Sequence, residues 1–257
     1  SYGAVKPDDV QALVHGAIFT RDAKELKHTA IFIGGSDVAV GEQLMREALK
    51  HMIPQFGLRV SILLDANGAN TTAAAAVRAA AKNLDLQGVP ALVLGGTGPV
   101  GQRVARLLAR EGAEVRVGSR QESRAAGVCR EIAAKVPGAK LTAVGTGAPP
   151  ELAAALEGRA LVIAAGAAGI VLLPRASRLG SPTLKVAIDL NAVPPLGIEG
   201  VEVTDKAAQR DGIVCYGAIG IGGTKMKVHK AAIAKLFESN EQVMDAEEVY
   251  QIAQALG

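Results

Sequence analysis

A chain of 257 residues, 49% hydrophobic and 21% charged, is long enough for one large domain or two modest ones. It can bury a core without metals or disulfides. A net charge of +3 from scattered basic residues, with only 3% aromatics, argues against a nucleic-acid partner and against ring platforms that stack sugars or single strands.

In chain order, short apolar runs alternate with longer helical patterns. Ala30–Ile33 reads as a strand. A helix follows over Val38–Met52, with Leu44, Ala48 and Met52 on one face. Pro54 and Gly57 stop it, and Leu58–Leu64 forms the next strand. Asn70 or Thr71 is placed to cap an alanine-rich helix running to Lys82. The polar stretch Leu84–Pro90, broken by Gly88 and Pro90, reads as the entry to a second unit.

The order then repeats: strand Ala91–Leu94, helix Pro99–Glu111, strand Glu114–Val117, helix Gln121–Lys135 and strand Leu141–Val144. Later strands are predicted at Leu161–Ala165, Leu184–Ile188 and Ile213–Cys215. Alternation of near-continuous apolar strands with helices predicts an α/β fold. Its centre is a doubly wound, Rossmann-like nucleotide-binding domain. Helices follow from Met226 to Phe237 and from Asp245, where Asp245 and Glu248 have capping-box spacing. A C-terminal helix is expected to return and complete a smaller α/β domain. The predicted division is residues 1–83 with 230–257 against 84–229.

The longest apolar run, Ala160–Leu173, is shorter than the roughly 20 residues of a membrane span. Cys129 and Cys215 have no zinc spacing and read as small buried hydrophobes in a reducing interior. No metal site is expected. The amino end shows no signal-peptide pattern and no initiator methionine, so a cytoplasmic protein whose natural chain begins earlier is expected.

The strongest local signal is Gly96-Thr97-Gly98-Pro99-Val100-Gly101 between a strand and a helix. That context gives a G-x-G-x-x-G its meaning. Gly96 is read as permitting the tight turn, Gly98 as letting backbone approach a pyrophosphate, and Gly101 as allowing close helix–strand packing. Pro99 suits the first helical turn, and the helix N-terminus offers free N–H groups to phosphate. The bland alternative is a glycine-rich turn without ligand.

After the next strand comes Ser119-Arg120, with Arg124 a helical turn further on and no acid where an NAD site places one. Two arginines and a serine suit a 2′-phosphate, hence NADP. NAD remains possible, with Ser119 on the ribose. The bland alternative is a solvated basic face.

Gly166 to Gly169, Asp189-Leu190-Asn191 and Gly217-Ala218 with the glycines after it fall at strand ends facing the ligand crevice, or else serve tight packing. Asp65, Asn67 and Asn70 form a polar cluster between a strand and a helix, suited either to amide and carbonyl recognition or to turns and caps. Of four histidines, His229 stands out because it lies four residues after Lys225, on one helical face. A basic helix surface is the alternative there.

The segments Asp65–Thr72, Gly95–Gly101, Ala187–Gly197, Gly217–His229 and Ala234–Ser239 together resemble the NAD(P)-dependent methylene-tetrahydromethanopterin dehydrogenases of methylotrophic bacteria, some of which also use methylene-tetrahydrofolate. The resemblance implies a two-domain subunit with the cofactor on the middle domain and the pterin in an interdomain cleft. It also implies a homo-oligomer, with a trimer favoured, and catalytic roles for Thr97, Lys225 and His229. Relatives carry an additional amino-terminal strand and loop, with an aromatic residue at the pterin site, that this chain lacks.

The implied reaction moves a hydride from a one-carbon bridge to the nicotinamide and leaves a methenyl cation. No proton moves in that step, which suits the scarcity of candidate bases. Lys225 is expected to meet a pterin carbonyl or acidic group, and His229 to orient the pterin or Lys225. The alternatives are a hydroxy-acid dehydrogenase of similar architecture, which needs a proton acceptor, and a non-enzymatic NADPH-binding module.

Overall fold

The computed structural model describes residues 1–256. After a short 3-10 turn, α1 (Val10–Ile18) buries Val10, Val14 and Ile18 on one face. β1 (Ala30–Ile33) leads to α2 (Val38–Lys50), whose N-terminus is closed by Asp37 accepting from the Val40 N–H at 3.0 Å. The buried face of α2 is Val38, Gly41, Met45 and Ala48, rotated from the expected Leu44–Ala48–Met52 stripe. Next come β2 (Ser61–Leu64) and α3 (Ala69–Ala81).

Then β3 (Pro90–Leu94), α4 (Pro99–Arg110), β4 (Glu114–Ser119), α5 (Glu122–Lys135), β5 (Lys140–Gly145), α6 (Pro149–Leu156) and β6 (Leu161–Ala164) alternate. They are followed by α7 (Arg175–Leu179), β7 (Val186–Asp189), β8 (Lys206–Arg210), β9 (Ile213–Tyr216), α8 (Ala218–Lys235), β10 (Val243–Met244) and α9 (Ala246–Ala255). The capping box at α9 forms: the Asp245 N–H donates to Glu248 Oε2 at 3.0 Å.

The chain divides into two compact units. Residues 1–71 and 226–256 form one, and residues 72–225 the other. The borders fall inside α3 and α8 rather than at 83/84 and 229/230. Helices that carry the chain across a border leave no glycine or proline break to read.

In the first unit three parallel strands run β1-β2-β10, pairing Ile31 with Ile62 and Ile62 with Val243. The carboxyl-terminal strand and α9 thus belong to the same unit as the amino end. In the second unit seven strands run β5-β4-β3-β6-β7-β9-β8, all parallel except β8. The first six reproduce the doubly wound order, so the topological switch point lies between β3 and β6. Leu92, Leu94, Val162 and Ala187 of the sheet pack with Leu152 and Leu156 of α6 and with Leu173 and Ile198. Burying each leucine contributes roughly 1.5–3 kcal/mol.

Two elements escaped the sequence reading in ways that matter below. β8 and β9 form a hairpin turned by Asp211 and Gly212, both at positive φ, which is the Asp-Gly hairpin signal. And α8 starts at Ala218, so the glycines of 217–223 form its first turns rather than a strand-end loop. Among the described residues no helix is long and apolar enough to cross a membrane, and no group of three His, Cys, Asp or Glu is placed to hold a metal. Cys215 is buried, which pushes its thiol up to about 11, whereas Cys129 on α5 is only half-buried.

Candidate active site

In the second unit, the turn after β3 sits at the switch point. The residue that needs the left-handed conformation is Gly95 (φ 68°), not Gly96. A Cβ on Gly95 would lie 2.6 Å from the Gly166 backbone, and one on Gly96 would strike the Val117 side chain. Gly101 does what its motif position requires: a Cβ there would stand 2.3 Å from the Gly95 carbonyl oxygen. The turn is held by Gln102 Nε2 donating to the Thr97 carbonyl at 2.9 Å. Pro99 opens α4, and among the described residues no acceptor takes the N–H of Val100 or Gly101. Those N–H groups and the helix dipole form an anion-binding terminus.

A cavity of about 930 Å³ opens beside this turn. Thr97, Gly98, Pro99, Ser119, Arg120, Arg124 and Gly166 all line it, whereas Gly96, Val100, Gly101, Asn191, Gly217 and Ala218 do not. Arg120 and Arg124 are exposed, and neither has an ion pair or side-chain hydrogen bond among the described residues. The facing wall, Thr146 to Pro149, went unread in the sequence. It is fixed by Glu151, which accepts from the Gly147 and Ala148 N–H groups at 2.9 and 3.1 Å.

The candidates outside the cavity have structural employment. Asn191 accepts from the Val193 N–H through its side chain, while its own N–H donates to Asp189 Oδ1. Burial pushes the Asp189 carboxyl up, against the pull of N–H donors from Asn191, Ile198 and Gly197. The Gly217 N–H donates to Asp205, and a Cβ on Gly217 would lie 2.1 Å from the Glu202 carbonyl oxygen. The start of α8 is thus pressed onto backbone.

In the first unit, the polar cluster after β2 resolves into distinct roles. Asp65, and not Asn70 or Thr71, caps α3. Its Oδ1 accepts from the Asn70 and Thr71 N–H groups at 3.0 and 3.1 Å, and its Oδ2 accepts from Thr71 Oγ1 at 2.8 Å. Asn70 is buried, donating from Nδ2 to the Leu64 carbonyl and to Asp245 Oδ1. Only Asn67 is exposed, at φ 55°, with its N–H donating to the Gly35 carbonyl.

His229 on α8 comes to this cluster. Its Nδ1 stands 3.6 Å from Asp65 Oδ2, and its ring meets Phe32 edge to face at 6.0 Å and 88°. Phe32 was missed in the sequence because it sits in an apolar strand. Its half-exposed ring, in a chain with four phenylalanines, beside Gly34-Gly35, was the available signal. Lys225 is half-buried and has no hydrogen bond or ion pair among the described residues.

The family profile described as methylene-tetrahydromethanopterin dehydrogenase, N-terminal, matches residues 1–67. The Bifunctional protein MdtA of Methylorubrum extorquens is 45% identical over 257 residues, covering 99% of this chain and 88% of that protein. The chain belongs to the methylene-tetrahydromethanopterin dehydrogenase family. A second relative from the same organism, the NAD(P)-dependent methylenetetrahydromethanopterin dehydrogenase, is 31% identical over 98% of this chain and 87% of its own length. Among solved structures, the ligand-free 5-ketofructose reductase of Gluconobacter sp. strain CHM43 aligns over 98% of this chain and 86% of its own, with a TM-score of 0.49 and 17% identity.

Proposed function

We propose that this protein oxidises the methylene bridge of a tetrahydropterin one-carbon carrier to the methenyl form, with NADP as electron acceptor. Tetrahydromethanopterin is the carrier and tetrahydrofolate a second one. The observation that carries this reading is kinship along nearly the whole chain with a relative named for that dehydrogenase.

The second unit's own residues suit the dinucleotide. The open N-terminus of α4, with Gly98 offering bare backbone, would hold the pyrophosphate. Ser119, Arg120 and Arg124 would hold the 2′-phosphate, and unpaired arginines are the reason for choosing NADP over NAD. Bound there, the dinucleotide supplies the two-electron acceptor.

Because no proton moves with the hydride, the protein's work is placement and exclusion of water from the cationic product. Thr97 would lie against the nicotinamide portion. Lys225 would donate to a pterin carbonyl or carboxylate, Asn67 to the pterin edge, and His229 would orient the ring system. Assembly as a trimer in the cytoplasm is part of the same proposal.

The test is a spectrophotometric assay for methenyl product across both pterins and both nicotinamide cofactors. Rapid product formation with tetrahydromethanopterin and NADP is expected. The assay includes hydroxy acids, because a carboxylate-held imidazole also accepts an alcohol proton. Turnover of hydroxy acids alone would overturn the proposal, as would NADPH binding with no turnover of any substrate.

A further inference from the structure

The geometry points to Asp65 as a positioning residue that sets the tautomer of His229, keeping the proton on Nδ1 and leaving the Nε2 lone pair for an N–H donor of the substrate. The inference rests on the pterin reading above and names the kind of substrate group His229 meets.

A carboxylate has about four acceptor positions. Two on Asp65 Oδ1 are taken by the Asn70 and Thr71 N–H groups, and one on Oδ2 by Thr71 Oγ1. The open position belongs to Oδ2, the oxygen 3.6 Å from His229 Nδ1. That separation is longer than a hydrogen bond and short enough for the carboxylate to favour a proton on the facing nitrogen. Asp65 is only 5% exposed, so the cap on α3 locks it in place.

Phe32, perpendicular to the imidazole, fixes the plane of the ring. One neighbour therefore sets the ring's orientation and the other sets which nitrogen is protonated. Tautomer choice follows from the partner of the opposite nitrogen. An imidazole with Nε2 as acceptor cannot donate to a carbonyl. It accepts from an N–H, and a pterin ring carries both amine and lactam N–H groups.

The experiment is nitrogen NMR of the full chain with labelled histidine, at a pH where the imidazoles are neutral. His229→Gln identifies the resonances among the four histidines. The wild type is expected to show His229 with a protonated Nδ1 and an unprotonated Nε2. In Asp65→Asn the side-chain oxygen keeps the two backbone donors. The amide then takes the place of Oδ2 and donates toward Nδ1, so the protonated nitrogen should switch to Nε2. A switch is a readout that a purely structural cap would not produce.

A wild-type His229 protonated on Nε2, or averaged between the two forms, overturns the inference without any variant having to fold. An unchanged tautomer in folded Asp65→Asn overturns it as well. In kinetics, Asp65→Asn should lower turnover by about tenfold or more, and the double variant with His229→Gln should lose no more than His229→Gln alone. Additive losses contradict the coupling. Protein that holds the Nδ1 proton but oxidises no pterin upholds Asp65's role and sinks the substrate reading alone.

Discussion

Arg120 and Arg124 stand exposed on the cavity beside the glycine turn without carboxylate partners. A charge-assisted pair to a phosphate contributes about 1.5–3 kcal/mol, roughly 10- to 100-fold in affinity. Arg120→Ala should therefore raise KM for NADP by that range while leaving NAD nearly unaffected, measured by steady-state kinetics with each cofactor. Equal losses with both would assign the guanidinium to a group the two cofactors share. For Lys225→Ala, turnover of the pterin should fall. Unchanged pterin kinetics would remove Lys225 from the site. At this scale the residue types were legible and their roles only partly so. Asp65, Asn67 and Asn70 read alike as polar turn residues, yet the structure makes one a cap and one a buried strut. Which carboxylate caps a helix depends on where a 3-10 turn at Ala66–Gly68 places the backbone, and a single sequence does not reveal that.

At the scale of elements, the glycine turn separates packing from binding. Gly101→Ala forces a Cβ against backbone 2.3 Å away, whereas the nearest contact for Gly98→Ala is 3.3 Å. Overpacking of the first kind costs about 1–3 kcal/mol or more. Thermal denaturation should show a clear loss for Gly101→Ala and little for Gly98→Ala. Calorimetric titration with NADP should show weakened binding for Gly98→Ala despite its intact fold. The reverse order would mean the turn is used differently. The central strands and α4 were readable because apolar runs alternate there with amphipathic helices. The start of α8 was not, since Gly217-Ala218-Ile219-Gly220 looks like a loop until Asp205 is seen pressed against it. A Cβ on Gly220 would lie 1.7 Å from that residue's carbonyl oxygen. Contact with a distant backbone overrides low helix propensity.

At the scale of the molecule, the strand order followed from alternation and the division into units did not, because both borders run through helices. Acid stability tests the packing of the second unit. The Arg178 guanidinium, fully buried, donates to Asp211 at 2.6 Å and, with Arg175, holds that carboxyl below the usual range. A depressed carboxyl contributes stability that is present above its unfolded value and is lost as pH falls through its folded one. Asp211→Asn tolerates the same positive φ. It should lower the melting temperature at neutral pH and flatten the decline on acidification. An identical acid limb in both proteins would remove this pair from the account.

The most direct measurement follows the transferred atom. A tetrahydromethanopterin carrier whose methylene bridge bears deuterium is incubated with the protein and NADP, and the reduced cofactor is analysed by mass spectrometry and NMR. The account predicts deuterium on the nicotinamide ring, none exchanged into water, and a methenyl product in equal amount. Reduced cofactor without deuterium, or label released to solvent, would contradict direct hydride transfer.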